Sequence, residues 1–237
     1  MPYRRLPNTD QARIRALKAV VAKADVQNLY DLAVSLKTLT EARNFLTRFE
    51  AAQSYYLQCF ERQSQAGHKH QANVKMARLY VSHFIQVLNL AVIRSEVRVA
   101  HKAYYGLPGD STNVPDLSTE TALVEWGRKI IDGEAKRTSQ GGIPIYNPTI
   151  AKVRVHYDIF TDSYDRQKNL QALTARSLES LSAMRTTADE LILDIWNQVE
   201  KKFEDVSPNE KRLDLCRDYG IIYYYRTGEK RKEEVNK

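Results

Sequence analysis

Two histidines near the middle of the chain, His68 and His70, come nearest in type and spacing to a metal site. Neutral imidazole binds zinc, but a tetrahedral zinc site needs three or four ligands. No third ligand follows at a usual spacing, and Cys59 and Cys216 are far apart. We therefore predict no metal and no cofactor, and we interpret residues 65–70 as a solvated turn between two helices.

Catalytic motifs are also missing from the sequence. There is no recognisable pair of carboxylates, no nucleophile beside a base and no phosphate-binding loop. The pair Gly141 and Gly142 lacks the preceding strand and the other residues of a P-loop. No Glu-x-x-His segment supports a carboxylate-bridged di-iron site. The sequence thus favours a non-catalytic protein.

Positive charge is concentrated in the first 23 residues, where six bases accompany a single acid, Asp10. The bases are Arg4, Arg5, Arg13, Arg15, Lys18 and Lys23. Ile14, Leu17 and Val21 give this segment the apolar edge of an amphipathic helix. Such a helix binds phosphate backbones or lipid head groups, or it packs by its apolar edge and leaves a solvated charged face. The second interpretation is the more common one for a run of charges.

The nucleic-acid hypothesis makes a direct prediction. Reversing the charges of Arg13, Arg15 and Lys18 should abolish binding to DNA and RNA while the fold survives. Binding by the unchanged protein should weaken steeply as salt rises, because each neutralised phosphate releases counterions. Fluorescence anisotropy with labelled duplex DNA, single-stranded DNA and RNA at several salt concentrations measures both effects. Unchanged affinity in the reversed variant would rule the hypothesis out.

A second candidate surface lies near the end of the chain, where residues 221–225 have the β-branched and aromatic composition of a strand. We expect this strand to pair with residues 142–146 or with a second copy of itself. The side chains of Tyr223, Tyr224, Tyr225 and Arg226 suit a stacking surface for a partner or for bases. The alternative is that the rings cover the end of a helical bundle.

Long helices must position these groups. Residues 147–206 contain one Pro, at position 148, and no Gly, and their apolar residues recur every three or four positions. This predicts one long amphipathic helix over residues 148–206. The alternative is a helix that breaks near Thr186, because Thr187 and Glu190 fit a capping box. Further helices are predicted over residues 8–24, 39–65, 71–103, 119–139 and 208–219. Helix 71–103 is apolar on several sides, which predicts a central, covered helix with His83, Gln86 and Asn89 in a polar core layer.

Composition agrees with a helical fold. The chain has 237 residues, 43% of them hydrophobic and 27% charged, with only nine Gly and seven Pro. We predict an all-α protein, an up-and-down four-helix bundle with an extra N-terminal helix and a short C-terminal helix. One domain is expected over residues 1–237, with 1–7 and 229–237 frayed.

The uncharged stretch 79–93 is too short to span a membrane, and two unpaired cysteines without a signal peptide favour a cytoplasmic protein.

Three segments carry a resemblance that extends over most of the chain. They are residues 2–10 (PYRRLPNTD), 142–149 (GIPIYNPT) and 216–220 (CRDYG). Together they resemble an uncharacterised family of helical-bundle proteins from Bacteroides-type bacteria. The resemblance implies a bundle fold, and it implies no activity and no catalytic residues.

Three functions follow as expectations. The first is a non-catalytic cytoplasmic interaction or scaffold protein, with a homodimer as one form. The second is nucleic-acid binding through the basic N-terminal segment. The third is a small-ligand pocket inside the bundle near Trp126, His83 and Tyr157.

Overall fold

Six α-helices and one short strand pair form the described part of the chain, residues 2–28 and 30–226 of a computed structural model. This confirms the predicted all-α bundle. The helices are α1 (Asp10–Val26), α2 (Leu36–Ile93), α3 (Glu120–Ser139), α4 (Ile150–Ala183), α5 (Arg185–Lys202) and α6 (Asn209–Asp218). A 3₁₀ helix spans Val99–Tyr105, and the strands are β1 (Tyr3–Arg4) and β2 (Tyr223–Tyr224). The predicted frayed tail, residues 229–237, lies outside the described residues.

The chain folds into two compact units where the sequence analysis expects one domain. Described residues up to 58 and from 175 to 226 form the first unit, and residues 59–174 form the second. Each unit has its own hydrophobic core. Helices α2 and α4 contribute one segment to each unit.

The first unit packs α1 against α5 and α6, with Leu17, Phe49 and Trp196 among its fully buried side chains. Thr9 caps α1 as predicted, since its Oγ1 accepts a hydrogen bond from Ala12 N at 3.2 Å. At the end of α6, Gly220 has φ +82°, and a Cβ there would lie 2.8 Å from Cβ of Ala19. Gly is therefore required both for the helix end and for its approach to α1.

The second unit buries Phe84, Leu88, Leu123 and Phe160 between α2, α3 and α4. Thr119 caps α3, accepting from the backbone N–H at position 122 at 3.1 Å, as predicted. A polar network also lies inside this unit.

The centre of that network is Glu134, which is 1% exposed. It accepts hydrogen bonds from Tyr105 Oη, from Arg137 Nη2 at 2.9 Å and from Ile145 N at 2.8 Å. Arg137 Nη2 also donates to Ile143 O at 2.8 Å. Burial and the Glu134 carboxylate raise the pKa of Tyr105, so the phenol stays protonated as a donor. The network ties the loop after α3 to the 3₁₀ helix.

The long crossover loop, residues 107–118, is bound by buried or half-buried polar side chains instead of by regular structure. Arg78 Nε and Nη2 donate to Leu117 O and Ser118 O at 2.8 and 2.9 Å, Asn89 Nδ2 to Thr112 O at 2.9 Å, and Lys102 Nζ to Ser111 O. Loop carbonyls thus find partners in the absence of a sheet or helix. The predicted polar core layer is wrong in part, because His83 and Gln86 are exposed and only Asn89 is buried.

The predicted turn at residues 65–70 is wrong, because α2 continues through it as one helix. Gly67 weakens a helix by roughly 1 kcal/mol relative to Ala. Here Gly67 lies against α4, where a Cβ would be 3.4 Å from Gln167 Nε2, and the next turn buries His70 to 3% exposure. Tertiary packing therefore outweighs the local preference of the Gly.

Several predicted helix ends also differ. Helix α2 begins at Leu36, not 39, because Ser35 Oγ accepts from Thr38 N at 3.2 Å and supplies the cap. Helix α4 begins at Ile150, after a Thr149 cap, two residues later than predicted. The single long helix is interrupted at Met184, close to the alternative of a break near Thr186, and no side chain caps α5.

Helix α2 ends at Ile93, where the sequence analysis expects 103. Ser95 adopts φ +61°, Ser95 N donates to Val92 O at 3.0 Å, and Glu96 N donates to Ala91 O at 2.9 Å. This is a Schellman motif with Ser at the left-handed position that Gly usually occupies. Nothing in the sequence indicates this helix end, because neither Gly nor Pro lies at it.

The strand near the C-terminus exists, but its predicted partners are wrong. β2 pairs antiparallel with β1, in the register Tyr3 with Tyr224 and Arg4 with Tyr223. Residues 3–4, expected to be frayed, are therefore part of the first unit.

The Schellman motif generates a stability prediction. Ser95→Gly should raise the free energy of unfolding by about 1 kcal/mol, because the left-handed region costs an L-residue roughly 1–2 kcal/mol. The matched control is Ser64→Gly, an exposed position inside α2 of the same unit, which should lower it by about 0.5–1 kcal/mol. Urea unfolding followed by circular dichroism measures both, and equal losses in the two variants would contradict the assignment.

Candidate functional site

Most bases of the N-terminal segment form ion pairs within the first unit. Arg13 is 9% exposed and donates to Asp189 through Nε at 2.8 Å and Nη2 at 2.9 Å. Asp10 lies 3.4 Å from Arg13 and accepts two hydrogen bonds from Arg185, at 2.9 and 2.8 Å. The hydrogen bonds that Arg13 donates to Asp189 raise the pKa of its guanidinium. Arg13 is thus a packing residue, so reversing its charge beside Asp10 and Asp189 should destabilise the fold, contrary to the expectation from the sequence.

The other predicted anion-binding residues divide into paired and exposed ones. Arg4 Nη1 donates to Asn197 at 2.8 Å and lies 3.4 Å from Glu200, and Lys18 lies 2.6 Å from Glu50. Arg5 and Arg15 are exposed, with no carboxylate within 4 Å in the described part of the chain. The structure therefore does not gather the five bases into one free surface.

The predicted aromatic surface packs on the start of the chain. The hydroxyl of Tyr223 donates to Glu200 Oε1 at 2.7 Å, and burial is the largest cause of its raised pKa. The ring of Tyr224 lies 5.8 Å from that of Tyr3, and the Arg226 guanidinium lies 4.4 Å from the Tyr3 ring centroid. Tyr225 is half-buried. These contacts place the rings over the β1–β2 pair and the end of α5.

The residues predicted to line an internal ligand pocket differ in burial. His83 is exposed on α2, whereas the hydroxyl of Tyr157 donates to Val124 O at 2.8 Å inside the unit. The Tyr157 ring fills the space beside Gly127, where a Cβ would be 2.3 Å from its Cδ2. Trp126 is half-buried, with Lys129 Nζ 4.6 Å from its ring centroid. A ligand pocket at these three side chains stays a prediction.

A row of exposed side chains, many of them apolar, runs along the outer face of α2 in the second unit. We call it the α2 stripe, and it consists of Met76, Leu79, His83, Gln86, Leu90 and Ile93. Met76 is 40% exposed, Leu79 57%, Leu90 49% and Ile93 65%, and the two polar residues are also exposed. The expectation that this helix is covered on several sides is therefore wrong for this face. The spacing of these residues is visible in the sequence. Because the predicted helix has apolar residues on several sides, however, the sequence does not indicate which side is exposed.

One helix in the described chain, α2, is long and apolar enough to cross a membrane by length and composition. An 18-residue window within it has a mean hydropathy of 1.4, and 39% of that window is buried in the protein. The core helix of a soluble protein meets the same criterion, so the evidence for a membrane segment is weak. The absence of a membrane span stays a prediction.

A groove of about 1030 Å³ opens between α2 and α4 within the second unit. We call it the α2–α4 groove. Its lining residues are Arg62, Gln65, Ala66, His68, Lys69, His70, Asn73, Ile159, Asp162, Ser163, Arg166 and Leu170. Its basic rim consists of Arg62, Lys69 and Arg166, and its partly apolar floor includes Ala66, Ile159 and Leu170. Sequence reasoning missed it because the two walls lie about a hundred positions apart along the chain.

His70 lies at the base of this groove and contacts three helices. Its Nδ1 is 2.9 Å from Ser163 Oγ on α4, and its Nε2 is 3.1 Å from Glu120 Oε1 on α3, without the alignment of a hydrogen bond. The Ser163 hydroxyl also donates to Phe160 O at 2.9 Å, so its proton is engaged within α4. The ring stacks on Phe160 with centroids 6.0 Å apart. His70 is held as part of the packing.

Metal and thiol chemistry find little support in the geometry. Within residues 2–28 and 30–226, no group of three or more His, Cys, Asp or Glu side chains is placed to hold a metal ion. Cys59 and Cys216 are both buried free thiols. Burial raises the pKa of Cys216, so the reactive thiolate is disfavoured.

The chain matches no known protein family, no curated protein and no solved structure. The resemblance to a Bacteroides-type bundle family stays a prediction. The functional proposals below therefore rest on the geometry of the structure.

The contrast between two arginines of α1 can be tested. Arg13→Ala should lower the free energy of unfolding by about 2 kcal/mol, because buried hydrogen bonds to a charged partner are lost. Arg15→Ala, two positions along the same helix and exposed, should change it by less than about 0.5 kcal/mol. Chemical unfolding of both variants measures the difference. Equal effects would show that the Arg13–Asp189 pair contributes no stability.

Proposed function

We propose that the protein is a non-catalytic interaction protein that forms an antiparallel homodimer through the α2 stripe. The observation that carries this proposal is the exposure of four large apolar side chains in one row of a single helix. Scattered exposed apolar residues are normal on a protein surface, whereas a contiguous row favours a contact surface.

The spacing of the stripe favours another helix as the partner. Its positions alternate by three and four residues from 76 to 93, which is close to the repeat of 3.5 residues in a coiled coil. Side chains at that period stay on one seam when two helices supercoil around each other, which is the pattern of a coiled coil. Three neighbouring positions in the middle of the seam, Tyr80, Ser82 and Val87, carry no charge, and the charged neighbours Lys75 and Arg94 lie at its two ends.

The order of residues along the stripe favours a second copy of this chain. Read in either direction it is two apolar residues, two polar residues and two apolar residues. An antiparallel pair centred between His83 and Gln86 places each His83 opposite the partner's Gln86. Leu79 then lies opposite the partner's Leu90, and Met76 opposite the partner's Ile93. Such a self-complementary patch is what a two-fold dimer requires.

The two polar residues also favour this arrangement over its alternatives. In a lipid bilayer, His83 and Gln86 would lie in the apolar centre of the stripe without partners, which is costly. A parallel dimer would set His83 against the partner's His83, and two imidazoles repel when both are protonated. In the antiparallel pair each imidazole meets an amide, which both donates and accepts hydrogen bonds.

The wider functional proposal is an interaction or scaffold protein of the cytoplasm. The buried, unreactive cysteines support a reducing compartment. The pairing of Arg13 and Lys18 with carboxylates supports a protein partner over nucleic acid, because those charges are already offset.

Sedimentation equilibrium tests the dimer. The unchanged protein should reach twice the chain mass of 27.3 kDa as its concentration rises, while Leu79→Glu with Leu90→Glu should remain monomeric because buried charge is costly. Leu57→Glu is the matched control, an exposed leucine of the same helix outside the stripe. Circular dichroism should show unchanged helix content in both variants. A monomeric unchanged protein at all concentrations would overturn the proposal, and so would a loss of dimer in Leu57→Glu alone.

Cysteine cross-linking tests the orientation. Leu79→Cys mixed with Leu90→Cys should form a disulfide-linked dimer, whereas neither variant alone should do so, because residue 79 faces residue 90 of the partner. The native cysteines are buried and should not interfere. Cross-linking of Leu79→Cys with itself would indicate parallel helices. Flotation of the protein with lipid vesicles, without dimers in solution, would indicate a membrane surface instead.

A further inference from the structure

The α2–α4 groove supports a second inference, which does not rest on the dimer. We propose that it binds a small organic phosphate, with the phosphate group at the basic rim and an apolar body on the floor. The volume, the charge of the rim and the floor each contribute to this assignment.

The rim has positive charge on both walls. Arg62 and Lys69 stand on α2 and Arg166 stands on α4, and all three are exposed. Asp162 is the one carboxylate among the lining residues. Guanidinium groups bind phosphate through two parallel hydrogen bonds, and an ammonium adds a compact point charge. Two arginines on facing walls can therefore hold one phosphate between them.

These cations differ from Arg13 and Lys18 of the N-terminal segment, which are paired with carboxylates. No carboxylate lies within 4 Å of Arg62, Lys69 or Arg166 in the part of the chain that the structure describes. By contrast, Arg13 and Lys18 have carboxylates at 2.8 and 2.6 Å. The charge on the groove rim is thus available to a ligand, and like charges held on one rim gain from a bound anion.

The floor favours an organic ligand over a bare anion. Ile159 is 47% exposed and lies among the lining residues together with Leu170 and Ala66. Asn73 and the Ser163 hydroxyl add polar groups at the wall. Small-molecule sites commonly have this composition, mostly apolar walls with a few placed polar groups, in volumes of about 300–1,000 Å³. His70 is fixed beneath by Ser163 and Glu120 and supplies a rigid base.

Titration calorimetry with phenyl phosphate tests the proposal on the full chain. The unchanged protein should bind, and its Kd should rise with salt because the contact is ionic. Arg62→Gln with Arg166→Gln should raise the Kd at least tenfold. Arg98→Gln with Arg154→Gln is the matched control: it removes two exposed charges of the same unit outside the groove and should change the Kd less than twofold.

Inorganic phosphate and benzoate test separately the role of the apolar floor and the preference for a phosphate group. Inorganic phosphate should bind more weakly than phenyl phosphate, because it leaves the floor uncovered, and benzoate should bind more weakly because it offers fewer oxygens. Equal binding of inorganic phosphate would overturn the role of the floor, and equal binding of benzoate would overturn the preference for phosphate. No heat with phenyl phosphate at low salt, or equal weakening in the control variant, would overturn the site. The dimer proposal is tested by other residues and would survive these failures.

Discussion

The burial of His70 is the constraint on which the second unit depends. One imidazole lies between α2, α3 and α4, with Ser163 at one ring nitrogen and Glu120 at the other. A buried polar ring needs partners on the sides it faces, so all three helices must be in place around residue 70. That requirement keeps α2 helical through Gly67. A turn at this point would separate residues 62–69 from the stripe that follows. With the helix intact, the groove wall and the α2 stripe are parts of one continuous helix face.

Charge is distributed differently in the fold than along the chain. The sequence concentrates bases in its first 23 residues, but folding brings Asp189 and Glu50 to Arg13 and Lys18 from distant positions. The partly buried pair of Arg13 and Asp189 joins α1 to α5 and offers little to an outside anion. The groove rim collects its cations from α2 and α4, where neither sequence segment is unusually basic. Counting charges along the sequence therefore selected residues 1–23. In the folded chain, carboxylates offset much of the positive charge of this segment.

Features encoded within a few residues were predictable, and features that depend on distant contacts were not. Thr9 and Thr119 cap their helices because a side-chain oxygen two or three residues from a free amide suffices, and Gly220 ends α6 for an equally local reason. The continuation through Gly67 depends on α4, which lies about a hundred residues away. The partner of β2 is the start of the chain, and no local pattern in residues 3–4 indicates a strand. The helical class followed from periodicity, which is local and repeated many times.

The two proposals for α2 are physically compatible because of where the helix ends. In an antiparallel pair centred between residues 83 and 86, residue 76 meets the partner's residue 93. The partner's α2 has no residues beyond Ile93, so it has no helix left to pair with residues 62–73 of the groove wall. The same Schellman motif at Ser95 that ends α2 therefore limits the apolar contact to the stripe and leaves the basic part of that face open to a ligand. If α2 continued to residue 103, as predicted from the sequence, the partner's helix would cover the groove wall as well as the stripe.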